Sequence, residues 1–453
     1  MLFEMKVRIK IPRDLVNAAL HDLERPHGHS LERVGFFSVR YSADELEPIV
    51  MCFAYHSVDE DSYLETDSCG ARIGGDAIRV AMQRSSVMNC GQLWVHTHGR
   101  HQMVCPSRTD RQSGPKIIRS LANLVRNQPH GWMILSESAG YAEMRLPDES
   151  IVVTRDVRIV GRSMGVLSER MAEQNSMSTR SEMDESERYD RQSFLGKSSR
   201  DIFETVRVGL VGLGGGGSHI NQQLAHLGFK HIVYCDPDGV EKSNLNRLIG
   251  AEFDDAQIGT SKTEVATRLF KNLHPDCPGD LESTIWQNRK NELRACDIVF
   301  GCLDSYSERR DLEIFCRRHM IPLIDIGMTV KELESPCRSE IYGQVAISIP
   351  GGPCMRCLGV LTEKNIAYEV AQYGDAGNRP QVVWSNGVLA STAVGVAVEL
   401  LTDWSNSDNR LARIDYRGSQ MSLKRSHMCR AIENSGCVHF PLSTVGDPNL
   451  VSI

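Results

Sequence analysis

The sequence predicts an α/β chain of two units: an N-terminal α+β unit and a C-terminal unit built on a doubly wound parallel sheet. Three observations predict this. An acidic stretch over 168–187 carries Glu169, Glu173, Glu182, Asp184, Glu185 and Glu187 against Arg170 and Arg180, and no aromatic residue. It has too little apolar surface to offset its ordering entropy, so it reads as a linker or a solvated helix between two globular segments. The first segment mixes strand-like runs with helical ones. The second opens on an apolar run at 206–211, a glycine cluster, an amphipathic stretch and another apolar run at 231–235, the order of a parallel β-α-β sheet. Domains are therefore expected over 1–162 and 188–453, joined by an acidic linker over 163–187.

Length and charge agree with this division. At roughly 100–200 residues per domain, 453 residues make two or three units. A net charge of −7 offers no basic footprint for nucleic acid or an anionic membrane. The longest apolar run, 388–401, is interrupted by Ser391, Thr392 and Glu399, so it reads as a buried helix and not a bilayer span. No basic region followed by an apolar block opens the chain, and a cytoplasmic location is expected. There the fourteen cysteines stay reduced, and a Cys-x-x-Cys pair reads first as metal binding.

In the N-terminal unit, strands are expected at 34–40, 49–55, 92–98, 132–136 and 151–153. Helices are expected at 12–23 and from Pro115, where Ile117, Leu121, Leu124 and Val125 repeat at helical spacing. Residues two apart on a strand share a face, so His96 and His98 point the same way. Ser107 and Asp110 stand one helical turn apart. Two histidines, a carboxylate and a water make an open catalytic zinc site, in which zinc lowers the water's pKa to about 7. Glu32, expected on an early strand, is the candidate general base. The alternative is that two strand histidines merely cap a core by hydrogen bonding.

Glu32 and Gly35 as E-x-x-G, then H-x-H, then S-x-x-D, resemble the JAB/JAMM (MPN-type) metalloprotease family over about 5–155. The resemblance implies a deubiquitinase-like zinc (iso)peptidase for ubiquitin or ubiquitin-like proteins. Glu32 would be the base, His96, His98 and Asp110 the zinc ligands, and Ser107 a stabiliser of the oxyanion.

In the C-terminal unit, Gly212, Gly214 and Gly217 belong to a cluster between a strand and a helix, where backbone N–H groups reach a phosphate. Asp236 ends the next strand, about 20 residues on, placed for a ribose hydroxyl. Alone, this pattern says only that a nucleotide binds. Arg247 and Lys262 are cations suited to a triphosphate, and Asp304 offers hard oxygen to Mg²⁺.

The ordered set RYDRQ (188–192), GLGGGG, DPD, SNLNR, GTSK, CLD and CMRC (354–357) resembles the ThiF/MoeB and ubiquitin-activating adenylyltransferase superfamily across most of 188–437. The resemblance implies a Rossmann-like domain with ATP and Mg²⁺ as cofactors. Asp236 would bind ribose; Asn244, Arg247 and Lys262 the phosphates; Asp304 the Mg²⁺. Arg191 would reach the γ-phosphate in a partner subunit, so a homodimer is implied. The implied substrate is the C-terminal glycine carboxylate of a ubiquitin-like or sulfur-carrier protein. A structural zinc is implied at Cys354 and Cys357, completed by Cys429 and Cys437, with His427 or His439 as a substitute for one thiolate.

Val383 occupies the slot where many members carry a thioester-forming cysteine. Cys337 is either a replacement nucleophile or an incidental exposed thiol. The two halves together resemble bacterial ubiquitin-like conjugation systems, often linked to antiviral defence, with a conjugating enzyme as a further partner. Sulfur-carrier trimming and activation, or a dimeric binding scaffold with a degenerate site, are the alternatives.

Overall fold

In the computed structural model the chain divides into two compact units, Met1–Glu185 with Gly446–Pro448, and Ser186–Val445 with Asn449–Ile453. The structure describes residues 6–26, 28, 32–44, 47–65, 70–98, 104–167, 187–332, 339–371, 380–402, 404–405, 412–432 and 436–450. Most of the expected linker, and Cys337, lie outside the described residues.

The first unit runs β1 (Arg8–Pro12), α1 (Arg13–Leu23), β2 (Val34–Ser42), β3 (Ile49–Ser57), α2 (Gly75–Met88), β4 (Gly91–His96), α3 (Arg108–Ala122), β5 (His130–Leu135), β6 (Gly140–Arg145), β7 (Ile151–Thr154), β8 (Val157–Val160) and β9 (Gly165–Leu167). Among the described residues its strands form one sheet in the order β7-β6-β5-β4-β2-β3-β1-β8-β9. Strand alternation divides the core into two faces. Phe37, Leu93 and Met133 pack with Val16 and Leu20 of α1 on one face, and Phe36 packs with Ala77, Ala81 and Leu121 of α2 and α3 on the other. Because both faces are covered, β5 is buried along its whole length.

Two expectations are corrected here. The helix expected from Pro115 starts at Arg108, with Pro115 inside it. Its start is set by a cap and not by apolar periodicity: Ser107 Oγ accepts from Asp110 N–H (3.1 Å), and Asp110 Oδ2 accepts from Ser107 N–H (2.7 Å). Glu32 precedes β2 instead of lying on it, in a bend held by its own N–H donating to Gly70 O (2.6 Å).

The second unit runs β10 (Arg207–Val211), α4 (Gly215–Leu227), β11 (His231–Cys235), α5 (Lys262–Leu273), β12 (Ile298–Gly301), α6 (Tyr306–Arg318), β13 (Leu323–Glu332), β14 (Ser339–Ser348), α7 (Val383–Leu401), β15 (Arg413–Arg417) and β16 (Ser422–Arg425), with shorter helical turns between. Its sheet order is β11-β10-β12-β13-β14-β15-β16. The first four strands are mutually parallel as expected, but β13 through β16 pair antiparallel, so the sheet is mixed. The connection over 333–338 is too short for the crossover of about a dozen residues that parallel pairing needs. Helix α7 is long and apolar enough to cross a membrane by composition, yet 56 % of its apolar window is buried inside the unit, as a core helix requires.

Candidate nucleotide pocket and metal centres

The parallel half of the second sheet builds a pocket of about 350 Å³ beyond the carboxyl ends of β10, β11 and β12. Gly212 leaves β10 at φ +89°, and a Cβ there would sit 2.5 Å from the Cys302 carbonyl oxygen. A Cβ on Gly217 would sit 1.9 Å from the Gly212 carbonyl oxygen, so the first turn of α4 folds directly onto the loop. Gly214, at the N-cap of α4, lines the pocket. This aims a helix N-terminus, with its unpaired N–H groups, into the cavity.

Asp236 follows β11 and is 5 % exposed, its carboxylate accepting from Leu213 N–H (2.6 Å) and Asp238 N–H (2.9 Å). Burial pushes this carboxyl up, and the neighbouring Lys262 opposes the rise. Lys262 opens α5, where Ser261 caps the helix, and its Nζ lies 2.7 Å from Asp238 and 3.6 Å from Asp236. Arg247 donates to Ser243 O (2.7 Å) and Asn246 Oδ1 (3.0 Å), while Asn244 Oδ1 accepts from Glu241 N–H (3.1 Å). Asn244, Arg247, Lys262, Asp236 and Asp304 all line the one pocket. Gly217 is a packing glycine beneath it. Arg191 is exposed on the turn Asp190–Leu195 and does not line the pocket of its own chain.

Several lining residues carry no sequence signal of their own. Asn386 enters from α7, and Trp286 from the short turn Trp286–Arg289. Arg309, also lining, is 7 % exposed; it donates to Leu303 O (2.7 Å) and Ile326 O (3.1 Å) and pairs with Asp325 at 3.0 Å. Burial raises the Asp325 carboxyl to about 7, against the pull of Arg309.

A second group of donors converges at the far end of the unit. Cys354, Cys357, Cys437 and His439 place their ligand atoms within 4.8 Å of one another. The Sγ atoms of Cys354 and Cys357 are 3.6 Å apart, Cys357 and Cys437 3.7 Å, and His439 Nδ1 lies 3.3 and 3.4 Å from Cys354 and Cys357. Sulfurs about 3.8 Å apart are what tetrahedral zinc with bonds of about 2.3 Å requires, so the donor set fits a closed structural zinc. Cys429 is not part of it, which corrects the expected four-thiolate set. It is buried in the core, with its thiol 3.4 Å from the Arg413 carbonyl oxygen, and His439 takes the fourth position.

In the first unit, His96 Nε2 and His98 Nε2 lie 3.1 Å apart, and the Asp110 oxygens lie 3.2 and 3.3 Å from them. β4 ends at His96, so His98 reaches the same point from the loop beyond the strand. Burial alone would raise the Asp110 carboxyl, yet hydrogen bonds from the two imidazoles hold it far below the ordinary carboxylate range. The Asp110 hydrogen bond in turn raises His98. Glu32 brings a carboxylate oxygen within 4.8 Å of both imidazole nitrogens. Two imidazoles and a carboxylate at these spacings suit a three-ligand zinc site, with Glu32 beside it. The Ser107 hydroxyl accepts as the α3 cap and retains its own proton to donate.

A family profile described as the ThiF family matches residues 189–437. The chain belongs to the ThiF family. Residues 189–437 are thus an E1-like adenylyltransferase domain, and they contain the whole nucleotide pocket. The ThiF match ends at Cys437, two residues short of His439. The chain is similar to the SAMP-activating enzyme E1 of Haloferax volcanii, 31 % identical over 236 residues, which cover 51 % of this chain and 81 % of that protein. It is 34 % identical over 228 residues to the adenylyltransferase and sulfurtransferase MOCS3 of Drosophila virilis, covering 48 % of this chain and 47 % of the relative. It is 27 % identical over 168 residues to the ubiquitin-like modifier-activating enzyme 5 of Mus musculus, covering 34 % and 39 %. Of the last two relatives the chain spans less than half the length. The ThiF match lies within the second unit, so the JAB/JAMM resemblance rests on the first unit's own residues.

Proposed function

We propose that the chain activates the C-terminal glycine of a ubiquitin-like protein by adenylation, and that its first unit is a zinc (iso)peptidase acting at the same terminus. The observation that carries the reading is the convergence of Asp236, Asn244, Arg247, Lys262 and Asp304 around a helix N-terminus in one ThiF-family pocket. The names of the relatives, two modifier-activating enzymes and one sulfurtransferase, point to a small protein partner.

Such a glycine carboxylate is ionised near neutral pH, so no protein base is needed. It attacks the α-phosphate of ATP, the α–β bridge bond breaks, and pyrophosphate leaves as the acyl-adenylate forms. Lys262, Arg247 and the α4 N-terminus stabilise the charge that develops on the leaving phosphates. Asp304 would hold Mg²⁺, which screens that charge. ATP–pyrophosphate exchange that requires a small protein ending in glycine tests this. Asp304→Ala is expected to abolish exchange, and its survival overturns the Mg²⁺ assignment. A lysine isopeptide on the recovered partner supports conjugation, whereas a thiocarboxylate assigns the chain to sulfur transfer.

In the first unit, zinc held by His96, His98 and Asp110 would polarise the scissile carbonyl and acidify a water. Glu32 takes the proton from the attacking water and returns it to the leaving amine, and Ser107 donates to the oxyanion. Glu32→Gln is expected to lose cleavage of a precursor or conjugate while retaining zinc. Cleavage by that variant, or its absence from the wild type, overturns the peptidase reading. Cys337, in the role of thioester nucleophile, predicts a thiol-sensitive adduct lost in Cys337→Ser.

A further inference from the structure

We propose that Glu313 and Arg317 on α6 are positioning residues that preform the Cys354–Cys357–Cys437–His439 centre and tie it to the wall of the nucleotide pocket. Arg309, Glu313 and Arg317 stand at i, i+4 and i+8 on one helix, about 12 Å from first to last at 1.5 Å per residue. They are 7 %, 1 % and 3 % exposed. Charges so deeply buried persist only when hydrogen-bonded and paired, so their partners define what they hold.

Glu313 Oε1 accepts from the Met355 N–H (2.8 Å), between the two cysteines, and from Ser348 Oγ (2.6 Å) on β14. Arg317 donates to Gly352 O (3.2 Å), Pro353 O (2.9 Å) and Ser348 Oγ (2.9 and 3.1 Å), with Glu313 3.6 Å away. Its guanidinium also lies 4.6 Å above the ring of Phe440, whose N–H donates to Cys437 Sγ (3.3 Å). One helix face therefore grips the chain before Cys354, between Cys354 and Cys357, and just after His439. The segment it grips is glycine-rich, with Gly351 at φ +85°, and would otherwise lose much conformational freedom on meeting a metal. At the other end of the helix, Arg309 fastens Leu303, Asp325 and Ile326, and Leu303 and Ile326 line the nucleotide pocket. The same rigid element thus presents one face to both sites.

The inference rests on the Cys₃His centre holding zinc and, for the tie to the pocket, on the proposed binding of ATP there, which a parent that binds no ATP would overturn separately; it does not rest on the peptidase reading. It is tested on the full, zinc-loaded chain in a His96→Ala/His98→Ala background, so that only this centre carries metal. Arg317→Met is expected to release zinc to a chelator 10–100-fold faster, the usual effect of losing a partner that orients a ligand. Ser348→Ala is expected to give a smaller increase. Should Arg317→Met not fold, Glu313→Gln/Arg317→Met, which removes both charges together, carries the measurement. Stripping zinc from the parent is further expected to weaken ATP binding at least 3-fold with helix content unchanged. Release within 2-fold of the parent from a folded variant overturns the positioning role, and unaltered ATP affinity on stripping overturns the tie to the pocket. A parent without zinc overturns the metal assignment itself.

Discussion

Lys262 shows how a single residue links sequence to chemistry. It stands at the first position of α5, where Ser261 satisfies the helix end, and its ammonium faces the two aspartates that close the pocket. A cation so placed meets phosphate charge without reorganising the fold, and Lys262→Ala is expected to lower ATP–pyrophosphate exchange 10²–10³-fold, about the value of one preorganised charge contact. His130 gives a pH signature to the first unit. It is fully buried, with Nε2 2.8 Å from Val125 O and Nδ1 accepting from Gln92 N–H (3.3 Å), so the neutral ring suits both partners. Burial pushes its pKa from 6.5 down to about 4. The unfolded chain therefore binds the proton first. The stabilisation is complete above pH 6.5 and falls away as pH drops towards 4, by about 2 kcal/mol at pH 5. Thermal melts at pH 7.5 and 5 check this: His130→Gln should show a smaller loss between the two than the parent, and an equal loss refutes it.

At the scale of elements, the glycine loop and the capped helix α3 carry opposite lessons. The loop was legible because only glycine suits positive φ at Gly212 and the 1.9 Å approach at Gly217, and neither requirement depends on distant residues beyond the strand pair. Gly217→Ala drives a Cβ into the Gly212 carbonyl, a backbone atom that cannot swing aside. It is expected to cost about 2–4 kcal/mol and to abolish nucleotide binding. Calorimetry of unfolding and of ATP binding checks both. Helix α3 starts before the expected Pro115 because apolar periodicity begins only where its residues meet the core, at Ile118 and Leu121, whereas its first turn is spent on the cap that aims Asp110. A doubly wound sheet predicts parallel strands throughout, yet β13 and β14 pair antiparallel. Their antiparallel pairing continues outward through polar residues such as Lys331 and Glu340 that give no strand signal.

At the scale of the whole molecule, both units use one device: a strand end and a helix start, brought together by a sheet, present polar groups to one point. Arg191 is exposed and away from its own pocket, so its proposed role requires a second copy of the chain. Mixing Arg191→Ala with Lys262→Ala chains is expected to restore up to about one quarter of wild-type exchange, since half the dimers are mixed and each has one complete site. No restoration overturns the action in trans. The order of glycines, aspartates, cations and Cys-x-x-Cys along the chain was enough to specify a nucleotide pocket and a ThiF-family domain, because those groups are held by local strand-turn-helix geometry. The residues of H-x-H and S-x-x-D meet at one strand end and one helix start, with His96, His98 and Asp110 within 3.3 Å of one another. Sequence alone offers either Cys429 or a histidine as the fourth ligand of the cysteine centre: Cys429 lies eight residues before Cys437 and His439 two after it, and only the fold buries the first in a core while turning the second towards Cys354. Nor was the role of Arg309, Glu313 and Arg317 legible, which read as an ordinary charged helix face until the sheet and the metal-binding segment close over it and leave each charge a single set of partners.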